Sequence, residues 1–139
     1  MSLTAYDKIG PFREDFFIDS VDHEYCLRAH HKGFKIIFVL KPLFYHAMGY
    51  KVKVNFLGFK VTVSNYSHSR RYYIARNRLI LTREYFLKEP GWLLQHLLSI
   101  LASTIKIGLF EKEGFKKVKW TFIGILDAIN KKMCRQPEN

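Results

Sequence analysis

The chain has 139 residues, room for one domain with a modest core and too few for two. Hydrophobic residues make up 48% and aromatics 16%, which excludes a disordered tail. A net charge of +11 predicts a negative neighbour: nucleic acid, an anionic membrane surface or a phosphorylated substrate.

Met1-Ser2-Leu3 reads as an expression-vector start and is set apart from the fold. Gly10-Pro11 marks a turn, and Phe16, Phe17 and Ile18 form a short apolar wedge. Asp19 or Ser20 is placed to cap a helix of about 13 residues, with Asp22 and Glu24 at the positive end of its dipole. Val21, Tyr25 and Ala29 share one face, and Gly33 follows two histidines and a lysine as the C′ residue. Cys26 on this helix and Cys134 in the tail form no CxxC pair. Neither zinc nor a disulfide framework is indicated, and a reducing compartment is expected.

Phe34 to Leu40 is nearly all apolar and predicts a buried strand, and Leu43 to His46 predicts a second short one. From Lys51 the pattern alternates cleanly on both sides of Leu57-Gly58, predicting a hairpin with one apolar and one basic face. Helical spacing returns over Arg70–Lys88, and Pro90-Gly91 punctuates. Trp92–Phe110 is the most apolar segment, but polar interruptions make it read as an interfacial or core helix rather than a membrane span. A last helix is expected over Glu113–Lys132. The class is α/β, or α+β within this chain, with strands and a hairpin over residues 4–64 and a helical extension over 65–139.

Asp19, Asp22 and Glu24 are explicable as cap and first-turn acids, yet paired carboxylates at a helix start also serve as a general base or a cation site. The run from Gly10 through Phe16-Phe17-Ile18-Asp19-Ser20-Val21-Asp22 to Leu27-Arg28 and Gly33-Phe34 resembles family 2 glycosyltransferases of the rhamnosyltransferase-like group. Two later segments extend the resemblance, His46-Ala47-Met48-Gly49 and Arg71-Tyr72-Tyr73-Ile74-Ala75-Arg76-Asn77. It departs from the family pattern at Val21, where the first acid of the common pair stands in those enzymes.

The resemblance implies the second, acceptor-side half of a GT-A fold, over residues 4–64. By that resemblance Asp22 is the general base, Asp19 and Glu24 orient it or bind acceptor hydroxyls, and Arg71 and Arg76 meet phosphate or lipid headgroups. His46 joins a DxD motif in holding Mg²⁺ or Mn²⁺. The implied reaction is inverting transfer of a sugar, possibly rhamnose, from a nucleotide-sugar to a glycan or lipid-linked acceptor. The implied location is the inner face of the cell membrane, as a peripheral protein on an anionic surface. No DxD or Gly-rich diphosphate loop appears in the chain, so it is expected to hold no metal and to be inactive alone. A rival reading without catalysis is a basic module for nucleic acid or a membrane surface. No nucleic-acid-binding motif appears, however, and the acid cluster opposes a phosphate backbone.

Overall fold

A computed structural model describes residues 2–37, 39–41, 51–56 and 58–130. The fold is mixed α/β and mostly helical: α1 (Leu3–Ile9), α2 (Val21–His31), β1 (Val52–Phe56), β2 (Phe59–Val63), α3 (His68–Tyr85), α4 (Pro90–Phe110) and α5 (Gly114–Ile129). A single 3₁₀ turn, Glu14–Phe16, separates α1 from α2.

α1 was not expected. The Ser2 side chain accepts from the Ala5 amide and caps it, so a residue assigned to a vector start is joined to the folded chain. α2 ends as foreseen. Gly33 adopts a left-handed φ of 82°, its amide donates to His30, and the Phe34 amide donates to Ala29. That pair of bonds is the Schellman closure. Phe34 thereby folds back onto the small core of Ile9, Tyr25 and Ala29.

The buried strand expected at Phe34–Leu40 is not formed at the described residues of that stretch. Ile36, Ile37, Val39 and Leu40 are exposed and irregular. A strand of that composition needs paired edges and covered faces, and the described sheet has only two strands, β1 and β2, paired with each other. The second strand expected at Leu43–His46 lies outside the described residues.

The hairpin matches its pattern. Val52 faces Val63, Val54 faces Val61 and Phe56 faces Phe59, while Lys53–Thr62 and Asn55–Lys60 occupy the other face. Gly58, at φ 82°, takes the left-handed turn position.

α3 is the hub. Residues 71–77 are buried in succession, so the helix is enclosed on every side rather than along one stripe. α5 packs along it most closely at Gly124, where a Cβ would run into the Tyr72 carbonyl oxygen. The Tyr72 hydroxyl donates to Asp127 Oδ2 at 3.0 Å across the same interface.

α4 corrects an expectation. With 21 residues and a mean hydropathy of 1.5 in its best window, it is long and apolar enough to cross a membrane by length and composition. Only 12% of that window is buried. His96, Ile100, Ser103 and Ile107 recur at helical spacing on the partly or fully buried side. Leu94, Leu97, Leu98, Leu101, Ile105 and Leu109 form an exposed apolar stripe, separated from that side by exposed Gln95, Ser99 and Lys106.

Candidate functional site

The segment between α1 and α2 is mounted on α3 by side chains that bond to its backbone. Asn77, fully buried, donates from Nδ2 to the carbonyls of Phe16 (2.7 Å), Ile18 (2.9 Å) and Asp19 (3.0 Å). Arg76 beside it donates from Nη1 to the Asp15 carbonyl and to Asn77 Oδ1, both at 2.9 Å. Arg13 grips the other end: a two-pronged contact to Asp15 (3.0 and 2.7 Å), two bonds to Glu84 on α3 (2.8 and 2.6 Å), and a stack on the Phe16 ring. That bidentate contact holds the Asp15 carboxyl below the usual carboxylate range.

These anchors secure a strained backbone. Phe17, Asp19 and Ser20 have φ of 46°, 70° and 64°, left-handed values that cost non-glycine residues of order 1–3 kcal/mol each unless the surroundings fix them. Fixing them costs the helix its side-chain cap. Ser20 stands at the N-cap position of α2, but its hydroxyl donates to Asp19 Oδ1 (3.1 Å) instead of receiving a helix amide.

The three acids meet three different fates. Glu24 is buried and ion-paired with Arg28 at 2.9 Å. Arg28 in turn donates to the carbonyls of Ile9 (3.1 Å) and Pro11 (2.7 Å), closing α1 onto α2. Glu24 therefore braces the fold and does not touch Asp22. Asp19 is half-buried and bonded to Ser20. Asp22 is 83% exposed, with His23 Nδ1 3.7 Å from its Oδ1. It is the one member of the trio whose carboxylate is open to an incoming hydroxyl.

Beside it, His23, Cys26, Leu27 and His30 on α2 face Ile36 and Trp92 around an open, mostly apolar cavity of about 210 Å³. Trp92 stacks on His96 (centroids 3.8 Å apart), and His96 meets His23 edge-on at 6.2 Å. Asp22 itself is not in the wall of this cavity; His23, the next residue on α2, is.

Arg71 and Arg76 do not lie on a solvated helix face. Both are buried and their guanidiniums are engaged by protein groups. Arg71 pairs with Glu111 at the end of α4, which also accepts from Lys117 Nζ on α5 (3.1 Å) and the Asn65 amide (3.1 Å). Burial pushes the Arg71 pKa down, opposed by Glu111. Sequence reasoning missed Glu111 and Gly124, and it named Asn77 within the Arg71–Asn77 segment without giving it a role. The signal for Asn77 was present: an amide side chain within the expected apolar face of a helix, next to an arginine.

His46 lies outside the described residues. Among the described residues no three His, Cys, Asp or Glu side chains come together to hold a metal ion. They do not by themselves fit Mg²⁺ or Mn²⁺, and no step is derived through such an ion.

Over nearly its whole length the chain is similar to a glycosyltransferase. The two sequences are 28% identical over 129 residues, 93% of this chain. That relative is the dTDP-rhamnosyl transferase RfbF of Shigella flexneri, and the chain spans 42% of its length. No family model matches the chain, and no solved structure does. The similarity suggests a glycosyltransferase-like region and goes no finer than that.

Proposed function

We propose that this chain is the acceptor-side portion of an inverting GT-A glycosyltransferase, with Asp22 as general base. What carries the reading is one coincidence: the likeness to a rhamnosyl transferase, together with an exposed carboxylate at the end of a backbone held rigidly by α3. In the reaction, Asp22 takes the proton from the acceptor hydroxyl as its oxygen bonds to the anomeric carbon and the nucleoside diphosphate leaves. A base contributes about 10²–10⁴-fold to such a step, provided it lies within hydrogen-bond reach of the proton. The donor in this reading is a nucleotide-sugar, dTDP-rhamnose by the relative's printed name. The acceptor is a glycan, free or lipid-linked. His46 would complete a Mg²⁺ or Mn²⁺ site with ligands from outside the chain, so the chain alone neither holds the ion nor turns over.

The same reading places the protein on the inner, anionic face of the cell membrane. Support comes from the +11 charge and the exposed apolar stripe of α4. A helix that is polar on one flank and apolar on the other lies in the interface plane, with lysines and arginines attracted to acidic lipids.

The test has two arms. A longer protein carrying this chain transfers labelled rhamnose from dTDP-rhamnose to a lipid-linked acceptor, and absence of transfer from any nucleotide-sugar removes the enzymatic reading. Calorimetry on the 139-residue chain shows no micromolar binding of dTDP-rhamnose, and such binding would contradict the assignment of the donor site to another segment.

A further inference from the structure

A second cavity lies across α3 from the acid loop, where β2, α3 and the end of α4 meet. Its volume is about 180 Å³, and its wall includes Arg71, Lys106, Thr62, Ser64, Ser103 and Glu111. A water occupies roughly 30 Å³ of liquid, so the space accommodates a tetrahedral oxyanion with water around it. We propose that this cavity binds a phosphate group.

Three observations point there. Arg71 is buried, and among the described residues its Nε–H has no hydrogen-bond partner. A buried charged donor left unbonded is costly, and a ligand oxygen would satisfy it. The carboxylate in the wall is already engaged by three donors. Glu111 Oε1 accepts from Arg71 and the Asn65 amide, and Oε2 accepts from Lys117. The wall itself carries two cations, Arg71 and Lys106, against this one acid, and Glu111 is further neutralised from outside the wall by Lys117, which leaves a local excess of positive charge in a partly desolvated site. The wall also carries hydroxyls. Ser103 donates its own to the Ile100 carbonyl (2.9 Å), which leaves the Thr62 and Ser64 hydroxyls as the further donors. Arginine with several supporting donors suits the oxygens of a phosphate better than the two of a carboxylate.

The location admits two sources of that phosphate. Exposed Ile105 and Leu109 on α4 flank Lys106 in sequence, so a phosphate at this depth is reachable from a lipid headgroup. A free phosphomonoester carries the same chemistry. The inference stands on the cavity alone and is independent of the glycosyl-transfer reading.

The experiment is proton–nitrogen NMR on the full 139-residue chain, following the arginine Nε–Hε signals. Inorganic phosphate is titrated against sodium chloride of equal ionic strength. The Arg71 Nε–Hε signal and the Ser64 and Lys106 amides are expected to shift saturably with phosphate alone. Arg71→Gln would strand buried Glu111 and risks unfolding, so the test variant is exposed Lys106→Glu, which should weaken binding about tenfold. Phosphatidylcholine vesicles with and without phosphatidic acid separate the sources. Displacement of vesicle binding by free phosphate identifies a headgroup, and saturable phosphate binding without such displacement identifies a soluble phosphomonoester. The proposal is overturned if neither probe shifts Arg71 saturably, or if Arg78 and Arg83 shift in parallel with it.

Discussion

The acid loop and the outer face of α4 are built on opposite terms. Between Arg13 and Ser20, backbone carbonyls are held by a charged and an amide side chain of α3, Arg76 and Asn77. Along α4, six large aliphatic side chains are turned outward with none of the described residues covering them. Buried polar groups that are fully bonded fix a geometry at little net gain in stability. Exposed apolar stripes contribute nothing to folding and mark a surface that another phase or partner covers. The first region thus depends on interior hydrogen bonding for its position, and the second is an exposed apolar surface that does not.

The contrast can be broken most forcefully at Asn77. Asn77→Ala removes this donor from the part-buried Ile18 and Asp19 carbonyls and leaves the buried Phe16 carbonyl only the Ile18 amide, which should cost about 3 kcal/mol, since each unsatisfied buried group costs roughly 1–3 kcal/mol. Urea denaturation should show a lower midpoint with an unchanged m-value. Asn77→Asp is expected to be no milder, because a carboxylate then faces three carbonyl oxygens. Next in size is Gly124→Ala. Its Cβ meets the Tyr72 carbonyl oxygen, and overpacking of this kind costs about 1–3 kcal/mol.

A smaller effect separates the regions by pH. Asp15 titrates below its ordinary value because of Arg13. Its contribution is therefore present above the unfolded carboxylate pKa of about 3.9 and is lost as pH falls through the lower folded value. The urea midpoint of the native chain should drop more steeply below about pH 4 than that of Arg13→Gln. Smallest of all in stability is the stripe. Replacing Leu98, Leu101 and Ile105 together by Gln should change unfolding by less than about 0.5 kcal/mol per site, as surface substitutions do. Yet it should abolish co-sedimentation with anionic vesicles. A large loss of stability would mean that the stripe packs inside the protein.

Legibility in the sequence followed the range of the forces involved. The hairpin was readable because alternation and Gly58 are local and self-sufficient. The three long helices were readable because Pro90-Gly91 and the apolar spacing mark them, although α3 begins two residues before Arg70, at His68, capped by Ser67. α1 was not, since its first residues carry no amphipathic pattern and its cap, Ser2, belonged to a stretch that had been set aside. The strand expected at Phe34–Leu40 failed because strand formation depends on partners, which no local pattern supplies.

At the site, the acid cluster was legible as a group but not in its division of labour. Glu24 differs from Asp22 only because Arg28 reaches it one turn later and ties it to the carbonyls of Ile9 and Pro11. Arg76 appeared as a cation available to a ligand. Its partner is a backbone carbonyl 61 residues earlier in the chain, a contact that exists only once α3 is enclosed.

The most direct measurement is Asp22→Asn in a longer enzyme carrying this chain, comparing sugar transfer and thermal unfolding on the same preparations. Among the described residues the only partner recorded for the Asp22 carboxylate is His23, so unfolding should be unchanged, while kcat falls by about 10²–10⁴-fold. Transfer at the native rate by the folded variant would contradict the assignment of Asp22 as the base.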